Sequence, residues 1–180
     1  MKSSPFAKGC SDDQTRGTTY TVHVTKKLLT RVKEPFAATV ETPTTSLGNW
    51  YATAMFWRPQ VALFVNERTL LPVLVPLAPA AMLLERFAES LQVMPGSLGA
   101  SPSFIAEERW AMNEGSFAKT ANRQVLGVMN RFEFELEYVR ERYGADLLQL
   151  SLWQADTLAG PLRGGTRTPK EELFSLIGQR

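Results

Sequence analysis

The sequence contains a single cysteine, Cys10, and a single histidine, His23, in 180 residues. One cysteine cannot close a disulfide within the chain or supply a Cys-rich zinc site, and one histidine excludes a His-rich metal site. Neither sign of charge is in large excess, because 20 Lys and Arg against 18 Asp and Glu leave a net charge of +2. That balance does not indicate binding to nucleic acid or membranes through bulk electrostatics. We expect no metal, no cofactor and a reduced Cys10.

Long hydrophobic runs are missing as well. The longest, Leu70 to Leu84, is interrupted by three prolines and is shorter than the roughly 18 residues that cross a bilayer. Residues 1–18 are polar and lack the apolar centre of a secretory signal. These features predict a soluble, cytoplasmic protein without membrane association. They also predict a disordered tail over residues 1–18 and a single globular domain over residues 19–180.

Two regions have the pattern of β-strands. Residues 19–24 alternate in side-chain character with a period of two, which is typical of a half-buried strand. Between residues 49 and 77, three short apolar runs are separated by tight polar breaks, a pattern that favours an antiparallel meander. Pro72 and Pro76 remove backbone donors from the third run and therefore place it at a sheet edge or shorten it.

Helical spacing begins near Pro79, where apolar residues recur every three or four positions. The pair Pro95-Gly96 predicts the end of that helix. Ser101 followed by Pro102 predicts a helix start, and Thr168 with Glu171 fits a capping box at the start of the last helix.

Residues 125–143 fit two structures. The run from Phe132 to Tyr138 alternates as a strand does, whereas Met129, Phe132 and Leu136 are spaced as on one side of a helix. Length and composition favour the helix, and the strand stays open as the alternative. Strands first and helices afterwards predict an α+β fold, in which helices pack on one face of a small antiparallel sheet built from residues 19–24 and 49–77.

The densest polar cluster lies between Lys119 and Asn130. If a helix begins after Asn122, that residue caps it, and the first turn offers free N–H groups to an anion. Lys119 and Arg123 would add positive charge there, and the Arg guanidinium suits phosphate or carboxylate. We therefore predict a ligand site formed by Lys119, Asn122, Arg123 and Asn130, with Lys26 nearby. The alternative is that Asn122 only caps the helix and the cations pair with surface glutamates.

His23 is the weak candidate for a catalytic residue. It lies three residues before Lys26 and Lys27, and an imidazole beside cations suits a general base or a phosphate donor. The alternative is an ordinary histidine on a strand surface. The sequence contains none of the phosphate-binding, zinc-protease or hydrolase motifs that would name a reaction.

For the other polar and aromatic residues, the sequence pattern indicates structural roles. Glu67 and Arg68 fall in a connector of the meander and are typical of a solvated turn. The four tryptophans fit a core, and the glutamates from Glu133 to Glu141 fit a solvated helix face.

Three separated blocks occur in the order of a known family pattern. They contain Thr25-Lys26-Lys27-Leu28-Leu29, then Trp50-Tyr51-Ala52 with the run from Leu63 to Val73, and last the run from Phe117 to Asn130. From about Tyr20 to Gly160, the chain resembles a bacterial family catalogued only as a domain of unknown function. The family pattern has a serine where this chain has Gln124. The resemblance implies no activity, but it singles out shared polar or special positions: Lys26, Asn66, Lys119, Asn122, Arg123, Gly127 and Asn130.

Three functional hypotheses follow. The first is a binding module for an anionic ligand, either nucleic acid or a phosphorylated molecule. The second is a protein–protein component of a paired bacterial system, which would use the run from Leu70 to Leu77 as its interface. The third is a metal-independent, ribonuclease-like enzyme with His23 as the base and Lys26 and Arg123 stabilising the developing charge. Oligomeric state stays open.

Overall fold

The computed structural model describes residues 19–33, 35–37, 39–144 and 146–178. The tail expected over residues 1–18 lies outside these ranges. The strands are β1 (Thr19–Val24), β2 (Trp50–Met55), β3 (Val61–Asn66), β4 (Pro72–Pro76) and β5 (Glu114–Lys119). The helices are α1 (Lys26–Val32), α2 (Leu83–Leu98), α3 (Pro102–Ala111), α4 (Arg123–Tyr143), α5 (Leu147–Ala155) and α6 (Pro169–Ile177).

The strands form one sheet in the order β4-β3-β2-β1-β5. The predicted antiparallel meander is confirmed in β2, β3 and β4. Strand β1, in contrast, runs parallel to both of its neighbours, β2 and β5. The α+β class is confirmed, but the sheet is mixed rather than antiparallel. The physical reason is chain length, since the long connections before β2 and β5 allow the crossovers that parallel pairing requires.

Helices cover both faces of the sheet, whereas the sequence predicted helices on one face only. One face packs against α1, α2 and α3, with Phe87 and Leu28 fully buried there. The opposite face packs against α4 through Met129 and Phe132. The cause is visible in β3, where every residue is buried. Such a continuous apolar strand requires cover on both sides.

Helix α4 resolves the ambiguity over residues 125–143 in favour of the helix. Phe132 and Leu136, which share the helical spacing, are fully buried, while Phe134 and Tyr138 are 78% and 82% exposed. Burial thus follows the helical period rather than the strand alternation. Within the described ranges, no helix is both long and apolar enough to span a membrane.

Strand β4 lies at a sheet edge, as its prolines predicted. Helix α5 covers that edge, and the Ser151 hydroxyl accepts a hydrogen bond from the Leu74 N–H at 3.0 Å. The run from Leu70 to Leu77 is buried apart from Pro76. It therefore does not form the exposed interface expected from the sequence, because α5 already occupies it.

The helix caps follow the sequence closely. The Ser101 hydroxyl accepts from the Phe104 N–H, and Thr168 with Glu171 forms the predicted capping box. The expected end of α2 at Pro95-Gly96 is wrong by about one turn. The helix continues to Leu98, and Gly99, with φ of 103°, ends it.

Candidate functional site

The candidate site lies where β1 and β5 end. These neighbouring strands are parallel, and Val24 is paired with Lys119 at their carboxyl ends. From there the chain leaves in two directions. After β1 it forms α1, whose Leu28 joins the core on one face, and after β5 it forms α4, whose Val125 joins the core on the other. The two adjacent parallel strands therefore send their following helices to opposite faces of the sheet.

Three of the predicted cations flank these strand ends. Lys119 is the last residue of β5, Lys26 opens α1 and Arg123 opens α4. All three are exposed, and within the described ranges none of them forms an ion pair. The Lys119 ammonium lies 5.8 Å from the centre of the Phe36 ring. Folding thus brings Lys26 and Lys119 to the same ends of two neighbouring strands, although they are far apart in the chain.

Asn122 caps α4, as predicted. Its side-chain oxygen accepts from the Gln124 N–H at 3.0 Å and the Val125 N–H at 3.3 Å. Its own N–H donates to the Tyr51 hydroxyl at 3.1 Å. These donors are used within the protein, so the helix start offers its positive dipole end and the Arg123 side chain rather than a row of free N–H groups.

His23 is buried, and a hydrogen bond to β5 orients its ring. It is 7% exposed, so the alternative of a strand-surface histidine is wrong. Its Nδ1 lies 2.7 Å from the Lys119 carbonyl oxygen. Because a carbonyl can only accept, Nδ1 carries a proton, and the neutral form of the ring has its lone pair on Nε2. Its ring stacks on Tyr51, with centroids 4.7 Å apart and planes 24° apart.

Tyr51 and Glu67 are the residues that sequence reasoning did not assign to this place. Tyr51 occurs in an aromatic run that fits a core, and its side chain is 1% exposed. Burial raises the pKa of its hydroxyl, and the negative charge of Glu67 raises it further, while the backbone N–H groups of Asn122 and Ala121 act in the opposite direction. Tyr51 is therefore a neutral phenol at physiological pH. No short-range sequence signal joins Tyr51 to Glu67, because β2 and β3 bring them together.

Asn130 lies apart from the other predicted ligands. It follows Asn122 by about two turns of α4 and lines an open groove of 530 Å³. The groove runs between α4 and the end of β2, with Trp57 and Glu137 also in its wall. Lys27 and Glu133 form a salt bridge at 3.0 Å that ties α1 to this part of α4. Asn130 thus lies in the wall of this groove, about two helical turns from Asn122, rather than at the strand ends.

The glutamates of α4 have the role expected of a solvated helix face. Three of them form ion pairs, in which Glu133 binds Lys27, Glu135 binds Arg131 and Glu137 binds Arg140. In the part of the chain that the structure describes, no group of three His, Cys, Asp or Glu side chains is arranged to hold a metal ion.

These features define a class of protein: an α+β domain with helices on both faces of a mixed sheet and a cationic, polar cluster at the ends of two parallel strands. The family model for a domain of unknown function, DUF6933, matches residues 21–172. The chain belongs to that family. No curated protein matches it.

Proposed function

We propose that the protein is a binding module for an anionic, phosphate-bearing ligand that docks at the carboxyl ends of β1 and β5. The observation that supports this most is the departure of α1 and α4 to opposite faces of the sheet. In open α/β sheets, such a divergence opens a crevice beyond the strand ends, and ligands bind there.

The electrostatics favour an anion. Lys26, Lys119 and Arg123 flank the strand ends without a carboxylate partner among the described residues, and α4 directs its positive dipole end to the same place. Arg123 supplies the planar donor fork that binds two phosphate oxygens at once, while the lysines act as point charges.

His23, one residue before the end of β1, adds a polar group that favours a ligand with hydrogen-bonding groups besides phosphate. In its neutral form, the His23 ring presents an acceptor at Nε2. A nucleotide base or a sugar hydroxyl offers matching donors and acceptors.

Fluorescence polarisation with a labelled single-stranded RNA oligonucleotide tests the proposal, with AMP and inorganic phosphate as competitors. We expect Arg123→Ala and Lys119→Ala each to weaken binding by about tenfold and to reduce the salt dependence by about one charge. Arg142→Ala is the matched control, because Arg142 is exposed at the opposite end of α4. Failure of all three probes to bind, or an equal loss in the control, would refute the site.

One observation favours a second candidate, the metal-independent ribonuclease. The bond from Nδ1 to the Lys119 carbonyl leaves Nε2 as the basic nitrogen, which is the tautomer that a general base needs. Incubation of RNA with the protein in EDTA, beside His23→Ala, tests this. Intact RNA with the wild-type protein, or undiminished cleavage by the variant, would exclude it.

A further inference from the structure

Helix α4 presents two aromatic rings to solvent on its outward face. Phe134 and Tyr138 are 78% and 82% exposed, four residues apart and therefore on the same side of the helix. Single exposed apolar residues are ordinary, but an adjacent pair of nearly bare rings on one helix face is typical of a contact surface.

Charged residues of opposite sign border the pair. Arg131 precedes Phe134 by three residues, and Glu141 follows Tyr138 by three. The order along the face is thus cation, aromatic, aromatic, anion. The spacings of three, four and three residues read the same from either end of the helix. At 3.6 residues per turn, these positions fall within an arc of about 80°. We call the four residues the α4 stripe.

We propose that the α4 stripe is the interface of a two-fold symmetric homodimer in which two α4 helices pack antiparallel. In that arrangement Phe134 of one copy meets Tyr138 of the other, and each Arg131 meets a Glu141. An isologous interface requires such self-complementarity, because the same surface serves both copies. A parallel arrangement would instead place like charges together, because each residue would face its own copy.

The ion pairs within one copy leave room for this contact. Arg131 already binds Glu135 of its own helix through Nε at 2.6 Å, but its side chain is 45% exposed. A guanidinium has five N–H donors, so its terminal nitrogens are free to bind a carboxylate of the second copy. Glu141 is exposed and has no ion-pair partner within the described ranges.

The size of the stripe sets the expected affinity. Aromatic side chains bury about 150–250 Å² each, so four rings contribute well below the roughly 1,600 Å² of a standard interface. The dimer should therefore be weak, with a dissociation constant between about 1 µM and 1 mM.

Sedimentation equilibrium of the full chain across that concentration range tests the proposal. We expect a reversible monomer–dimer equilibrium that Phe134→Ser or Tyr138→Ser weakens by at least about tenfold. Trp110→Ser is the matched control, because Trp110 is 76% exposed on α3, outside the stripe, and should leave the equilibrium unchanged. Circular dichroism of each variant verifies that the fold is intact.

A charge exchange tests the antiparallel register itself. Arg131→Glu and Glu141→Arg should each weaken the dimer, because each places like charges opposite one another, and the double variant should restore it. A protein that stays monomeric at every concentration overturns the proposal. So does a double variant no better than the single ones, or a Trp110→Ser variant that dissociates as readily as Phe134→Ser.

Discussion

The His23 ring stacks on the ring of Tyr51, with 4.7 Å between their centroids. The pair links four elements, β1, β2, β5 and α4, because His23 binds the carbonyl of Lys119 at the end of β5 and the Tyr51 hydroxyl accepts the N–H of Asn122 at the start of α4. The start of α4 is therefore anchored to the middle of the sheet through an aromatic pair rather than through its own loop.

Alkaline pH should destabilise the protein through its buried tyrosines. Burial raises the pKa of both Tyr20 and Tyr51 above the ordinary value of 10.0. Above pH 10 the unfolded chain loses protons that the folded chain keeps, so the free energy of unfolding falls as pH rises, by up to about 1.4 kcal/mol per pH unit for each tyrosine. Urea unfolding at several pH values above 10 measures this slope. Tyr51→Phe should make it shallower, and an unchanged slope would contradict the prediction.

Asn66→Ala should be among the most destabilising single substitutions. The Asn66 side chain is fully buried, and its Nδ2 donates to the carbonyls of Leu47 and Asn49. Its Oδ1 accepts from the N–H groups of Arg68 and Thr69. Truncation leaves these groups without partners, which should cost about 3 kcal/mol in urea unfolding.

Two further variants separate this effect from a simple loss of volume. Asn66→Asp keeps the shape but sets a carboxylate oxygen against the carbonyls of Leu47 and Asn49, so it should be no better than the alanine. Asn130→Ala, at an exposed position on α4, should change the free energy of unfolding by less than about 0.5 kcal/mol. If Asn66→Asp has the same free energy of unfolding as the wild-type protein, these hydrogen bonds stabilise the fold less than we expect.

Gly127→Ala should stabilise the protein. Gly127 lies inside α4, and a Cβ placed there meets nothing within 4 Å. Alanine loses less backbone entropy in a helix, which should raise the free energy of unfolding by about 0.5–1 kcal/mol. Thermal unfolding measures the gain, and a lower midpoint would count against this prediction.

Gly115→Ala should have the opposite effect. A Cβ at Gly115 would lie 2.7 Å from the end of the Tyr20 ring, and Tyr20 is almost completely buried. The ring has to move, so we expect a loss of about 1–3 kcal/mol in the same assay. Equal midpoints for the Gly115 and Gly127 variants would show that backbone entropy alone decides both.

Ser151→Ala should destabilise the covered sheet edge. The Ser151 hydroxyl accepts the Leu74 N–H and donates to the Leu147 carbonyl at 2.7 Å. Without it the Leu74 donor is buried and unpaired, which should cost about 1–3 kcal/mol. Ser97→Ala is the matched control, because the Ser97 hydroxyl donates to the Val93 carbonyl on an exposed part of α2. An equal effect of the two substitutions would contradict the role given to Ser151.

Features that depend on neighbours in sequence were predictable. Ser101, Asn122 and Thr168 all cap helices, because a capping side chain bonds to an N–H only two or three residues away. The edge position of β4 followed from Pro72 and Pro76 for a similar reason, since a missing donor is a property of the residue itself.

Features that depend on partners far along the chain were not predictable. The alternation in β1 identifies a strand but gives no direction to its neighbours, so the parallel pairing with β2 and β5 went unforeseen. The sequence predicted Tyr51 only as a core aromatic, and its contact with His23 exists because the parallel register of β1 and β2 pairs these two residues directly.

The sequence by itself determined the α+β class, the helix starts, the edge strand and the family. Each of these depends on a local residue pattern or on blocks of residues in a fixed order. Only the tertiary structure decided that the helices cover both faces, that β1 is an interior strand parallel to both neighbours, and that Lys119 lies beside the end of β1, where His23 and Lys26 are. The reason is that strand order and the side on which a chain leaves a sheet are set by competition among distant apolar surfaces for burial, which no local spacing records.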